Sequence, residues 1–153
     1  MFLLDTNVVS ELRRARRHGA VLAWLHRQDD AALWLSAVTL GEIQAGIERT
    51  RDQDPARAAE LEAWLAQVAD TFNILPMDAA AFRATARLMH HRPDRRFEDA
   101  MIAATALIRG LVVVPRSIRD FQGFGVSLLD PFAAATESRL PRSPPGSRPG
   151  SAR

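Results

Sequence analysis

Short unbroken apolar runs alternate along this chain with longer segments of helical periodicity. Phe2-Leu3-Leu4, Leu33-Trp34-Leu35, Phe72 to Leu75, Leu111-Val112-Val113-Val114 and Gly125 to Leu129 are the apolar runs. Bounded by turn residues and too short for helices, they read as strands buried on both faces. Between them, Val8 to Arg17 predicts a helix stopped by His18-Gly19, and Ala20 to Arg27 predicts another with Val21, Leu22, Trp24 and Leu25 inward. Ser36 opens a helix running to Thr50 with Val38, Ile43 and Ile47 facing the core. Asp54-Pro55 starts one to Ala69 with Leu61, Trp64, Leu65 and Val68 on one stripe, and Asp78 caps one ending at His91. Phe97 to Ile108 is apolar and alanine-rich, so it predicts a helix pressed closely on a sheet, with Gly110 as its stop. Pro115 to Phe121 predicts a turn with a short helical segment.

Strands separated by helices imply right-handed crossovers and a parallel sheet covered on both faces. The expectation is therefore α/β: one three-layer α/β/α domain with a short parallel sheet of about five strands, spanning residues 1–137. Residues 138–153 are rich in Pro, Ser, Gly and Arg with little to bury, and are expected to be a disordered tail.

Composition narrows the chemistry. The chain has no cysteine, which excludes disulfides and thiolate metal sites. No apolar run reaches the roughly 18 residues of a membrane span, and no leader pattern opens the chain, so the expected compartment is the cytoplasm with no membrane partner. The net charge of +2 is uneven: the tail holds Arg139, Arg142, Arg148 and Arg153 without an acid, leaving the body slightly acidic. Every basic residue is arginine. His18, His26, His90 and His91 lack zinc-ligand spacing and read as surface residues.

Four acids share a structural address. Asp5, Glu42, Asp99 and Asp120 each lie at a strand's carboxyl end or near the start of a helix that follows one, and in a parallel sheet those positions gather along one edge. Each also has a local explanation. Asp5 fits a helix cap, Thr39 and Glu42 have capping-box spacing, and acids in a first turn, such as Glu98 and Asp99, favour the helix dipole. Those explanations give no reason for all four to share an edge. Clustered carboxylates repel unless a cation lies between them, and hard oxygen donors select Mg²⁺ or Mn²⁺.

The motifs Asp5-Thr6-Asn7-Val8-Val9-Ser10-Glu11, Ser36 to Glu42 with Ile43 and Gly46, Glu98 to Ala106, and Arg116 with Asp120-Phe121 and Asp130-Pro131-Phe132 occur in that order over residues 1–132. In this the chain resembles the PIN-domain ribonucleases of the VapC toxin group, in the FitB-like branch. The resemblance implies a Mg²⁺- or Mn²⁺-dependent endoribonuclease, the toxin of a toxin-antitoxin pair, which forms a homodimer and is inhibited by a small cognate antitoxin, with higher assembly open to that complex. It carries the catalytic acids onto Asp5, Glu42, Asp99 and Asp120. Asp5 and Asp99 are expected to hold the principal ion, and Glu42 and Asp120 to act through water. Thr6 and Asn7 would orient Asp5, Ser117 would support the same shell, and Arg116 and Arg119 are candidates for RNA phosphate contacts or simply surface arginines. One departure stands out: Pro115-Arg116-Ser117 replaces the Thr-Arg-Asn usual in such relatives. It keeps open a degenerate domain that binds RNA or protein without cleaving. An aspartyl-phosphate phosphohydrolase with Asp5 as nucleophile is a further reading, disfavoured by Asn7 and by the absence of lysine.

Overall fold

Consecutive residues of the first strand serve opposite layers. Leu3 packs with Ala100, Ile102, Ala103, Ala106 and Val113 on one side of the sheet. Leu4 packs with Val8, Val9, Trp24, Leu35 and Val114 on the other. A strand buried on both faces has no polar side to spare, which is why its sequence shows no alternation.

The structure is a computed structural model that describes residues 1–92 and 96–133. In order its elements are β1 (Phe2–Leu4), α1 (Thr6–Glu11), α2 (Gly19–Leu25), β2 (Leu33–Ser36), α3 (Ala37–Arg51), α4 (Pro55–Thr71), β3 (Asn73–Leu75), α5 (Ala79–Met89), α6 (Phe97–Arg109), β4 (Val112–Val114) and α7 (Ile118–Phe121). The sheet has the order β3-β2-β1-β4 and every pairing is parallel. Phe2, Leu3 and Leu4 stand opposite Leu33, Trp34 and Leu35 on one side and Val112, Val113 and Val114 on the other. The first strand is therefore central, flanked by β2 and β4.

Several local expectations hold. Asp54 and Asp78 each accept a backbone amide at 2.9 Å, from Arg57 and Ala81, as N-caps of α4 and α5. Gly110 ends α6 in the left-handed conformation at φ 65°, where a Cβ would be strained. The alanine face of α6 is buried as expected, with Ala100, Ala103, Ala104 and Ala106 fully inaccessible.

Three expectations are corrected. The expected fifth strand is reduced to one parallel bridge between Val113 and Leu128, because Gly125 turns left-handed at φ 73° and breaks the extended run. The first helix stops at Glu11 instead of Arg17, because the arginines after it reach for separate partners: Arg14 turns back to Glu11 and Arg13 stacks over Trp64. Gly19 does not stop that helix; it begins α2. Arg92-Pro93-Asp94-Arg95-Arg96, whose composition predicts a linker into α6, falls partly outside the described residues, and the tail wholly so. Among the described residues, no helix is long and apolar enough to cross a membrane.

Close packing of α6 makes its small side chains obligatory. Ala103→Leu is expected to destabilise the fold by about 1–3 kcal/mol through overpacking, read as a lower urea midpoint with an unchanged slope.

Candidate active site

The apolar run of β1 ends on Asp5, whose backbone amide extends the ladder by donating to the Val114 carbonyl at 3.1 Å. That bond fixes Asp5 at the carboxyl edge of the central strand. Its residue is 4% exposed and occupies the N-cap position of α1, yet its side chain makes no capping bond into the helix. Its carboxylate is thus not spent on a capping bond of full geometry, though the first amides of α1 favour its charged form. Asn7 donates its side-chain amide to Asp5 Oδ2 at 3.3 Å. Burial pushes the Asp5 carboxyl above its ordinary range, opposed by Asn7 and by the backbone amides of Thr6, Asn7 and Arg116.

Glu42 comes from the second turn of α3, next to the edge through β2. Ser36 is the cap of that helix, accepting from the Val38 amide at 3.2 Å. The Thr39–Glu42 capping box is thus not formed. The Glu42 carboxylate instead receives the Thr6 hydroxyl at 2.5 Å, and Thr6 also lies 3.3 Å from the Thr39 hydroxyl. Thr6 was expected to orient Asp5; its side chain orients Glu42, and only its amide serves Asp5. Burial raises the Glu42 carboxyl, the Thr6 bond lowers it, and the charge of Asp5 raises it further.

Asp99 sits in the first turn of α6, 7% exposed, and it is where the four acids meet electrostatically. Burial raises its carboxyl to about 6, Arg96 works against this, and Asp5, Asp120 and Glu42 each push it higher. Asp99 thus responds to all three of the others. Asp120, on α7, is exposed and reaches the group through Asp99. The structure thus brings together the four acids drawn from residues 5 to 120 of the chain.

The remaining candidates divide. Arg116 donates to Glu11 Oε1 at 2.8 Å and lies over the Phe132 ring, so its guanidinium is already engaged. Arg119 is exposed. The Ser117 hydroxyl has no hydrogen-bond partner among the described residues. Two groups escaped the sequence reading. Arg96, at the N-cap position of α6, brings its guanidinium within 3.8 Å of Glu42 and also favours the charged form of Asp99. Glu98 adds negative charge beside Glu42. Nothing in a polar linker marks one arginine as facing a cluster of acids. The four histidines are exposed, as expected.

Chemically this is a set of oxygen donors that repel one another, two buried (Asp5 and Asp99), one half-buried (Glu42) and one exposed (Asp120). Among the described residues, no three acidic or histidine side chains form a ready ligand cage. Clefts open on either side of Glu42. One is lined by Thr6, Ser10, Arg13, Thr50 and Trp64, and the other, more apolar, by Val38, Met77, Phe82 and Met101.

The fold that carries these acids, a short parallel sheet with the first strand central, is shared with known proteins. Residues 2–123 match the PIN domain, and the chain belongs to the PIN-domain family. It is 35% identical to the VapC ribonuclease Y4jK of Sinorhizobium fredii over 88% of this chain and all of that protein. It is 31% identical to the toxin FitB of Neisseria gonorrhoeae over 86% of this chain and 99% of FitB. Among solved structures, the crystal structure of FitAcB from Neisseria gonorrhoeae superposes with a TM-score of 0.76 at 29% identity, covering 86% of this chain and 99% of that one.

The raised Asp99 carboxyl has a definite effect on stability. A carboxyl whose folded value of about 6 exceeds the ordinary 3.8 binds protons better in the folded state, so it favours the fold at acid pH. That contribution is lost as pH rises through about 6. In the presence of a chelator, Asp99→Asn is expected to raise the melting temperature over wild type more at about pH 7.5 than at about pH 5. Added Mg²⁺ should then stabilise wild type at the higher pH and leave Asp99→Asn unmoved.

Proposed function

We propose that this protein is a divalent-metal-dependent endoribonuclease acting as the toxin of a toxin-antitoxin pair. The observation that carries the reading is Asp99: buried, raised to about 6, and repelled by three other acids from separate elements of the fold. A group of acids gathered so is stabilised by a cation, and an all-oxygen set suits Mg²⁺ or Mn²⁺. The lack of a ready three-ligand cage among the described residues fits a Mg²⁺-like ion, which keeps several of its waters.

Asp5 and Asp99, the more buried of the four, would hold the ion directly, with Glu42 and Asp120 reaching it through water. Bound there, the ion supplies a water of lowered pKa and a counter-charge for a phosphoryl group. Asn7 holds the Asp5 carboxylate and Thr6 holds Glu42, and a carboxylate of the group, Glu42 or Asp120, would accept the attacking water's proton. Attack is in line on an RNA phosphodiester lying across the clefts beside Glu42. The relatives named a VapC ribonuclease and a toxin support RNA as the substrate class and a small cognate antitoxin as partner. Residues 1–137 form the nuclease domain, residues 138–153 the tail, and the protein works in the cytoplasm as a homodimer.

Asp5→Asn and Asp99→Asn should each reduce Mn²⁺-dependent cleavage of a mixed RNA panel by more than about 100-fold, and Thr6→Val by about 10–100-fold, the range for groups that orient ligands. Full activity in Asp5→Asn would sink the assignment. The Pro115 and Ser117 departures favour a second reading, a domain that binds RNA without cutting it. It gains the day if wild type binds RNA while calorimetry detects no carboxylate-dependent Mn²⁺ binding.

A further inference from the structure

Glu11 is the most deeply buried acid of the described residues, 2% exposed, and lies outside the group of four. Its Oε1 accepts from Arg14 Nη1 at 2.6 Å and from Arg116 Nη1 at 2.8 Å. The first of these is a neighbour on the same turn. The second comes from 105 residues further along the chain, in the segment after β4. Phe132 covers the junction with its ring 5.9 Å from the Arg116 guanidinium, and Asp130 seats Phe132 by accepting its backbone amide at 2.8 Å.

The two ends of this pair belong to the two halves of the site. Glu11 closes α1, the helix that begins immediately after Asp5 and carries Thr6 and Asn7. Arg116 precedes α7, which carries Asp120, and the backbone amide of Arg116 favours the charged form of Asp5. The Pro115 beside it has no amide to donate, so the Arg116 amide is the first donor in this segment after β4. A guanidinium on a buried carboxylate makes a charge-assisted bond that is costly to break from one side.

We propose that Glu11 is a positioning residue for RNA cleavage. By clamping Arg116 it fixes the segment that follows Val114, whose carbonyl holds the Asp5 amide at 3.1 Å, and sets where α7 presents Asp120. This rests on the nuclease reading and deepens it, and it assigns Arg116 to the scaffold of the site and not to RNA phosphates.

The test is a double-mutant cycle with Glu11→Gln, Arg116→Gln and the two combined, in the full chain. Three quantities are measured: kcat and KM for an RNA oligonucleotide at several salt concentrations, Mn²⁺ affinity of the RNA-free protein by calorimetry, and amide hydrogen exchange across residues 115–121. Each single variant is expected to lower kcat and Mn²⁺ affinity about tenfold and speed exchange in that segment, with KM and its salt dependence unchanged. The combined variant should be no worse than Glu11→Gln, which already removes the Glu11–Arg116 bond along with that to Arg14. Arg116→Lys should recover part of the loss. Additive losses overturn the proposal. So does a higher KM with a salt slope reduced by about one in Arg116→Gln alone, which marks a phosphate contact. If a single variant fails to fold, the combined variant, neutral on both sides, is compared with wild type by the same three measurements. If wild type binds Mn²⁺ but cuts no RNA, the nuclease reading fails, while Mn²⁺ affinity and exchange still decide the role of Glu11.

Discussion

The constraint on which this structure turns is the placing of like charges where water is scarce. A carboxylate at a sheet edge loses hydration to the helices that cover the strands, and three more acids nearby make ionisation harder still. Left alone, such a group is a liability to the fold. Nature's usual reason for keeping one is that the charged state is needed when a cation arrives, and the raised Asp99 carboxyl records the strain of that arrangement. Arg96 moderates the repulsion without cancelling it: it is largely exposed and approaches Glu42 only to 3.8 Å.

Around that constraint the fold divides its labour. The sheet is all apolar until its edge, and α6, with its alanine face, lies close enough for Asp99 in its first turn to reach the acid on the central strand. Polar partners then choose between acids. Asn7 serves Asp5, Thr6 serves Glu42, and neither is spent on capping its own helix. Glu11 plays a different part. It satisfies two arginines away from the edge and keeps positive charge from simply neutralising the acids.

The layers and the edge were legible in the sequence because both follow from one-dimensional signals. Unbroken apolar runs marked the buried strands, and the abrupt change from Leu4 to Asp5 marked where the edge must lie. Asp54, Asp78 and Gly110 announced helix ends through well-defined local chemistry. What escaped depended on lateral neighbours. The pairing of Thr6 with Glu42 requires the register between β1 and β2, which no local window contains. Glu11 carried no signal beyond its place at the end of the first motif, because its partner is more than a hundred positions distant. The last strand failed for a local reason that composition concealed: a glycine can extend a strand or break it, and Gly125 breaks it.

The central place of β1 also bears on how the molecule is made. β1 is translated well before its neighbour β4, which lies 110 positions later by register, Phe2 opposite Val112. Until that segment emerges, Asp5 has no carbonyl from Val114 to hold its amide, and Asp120 does not yet exist. At roughly 5–20 residues per second, the interval lasts about 5–20 seconds. The acids of a nascent chain therefore converge only after the segment that runs through Val114 and Asp120 has emerged.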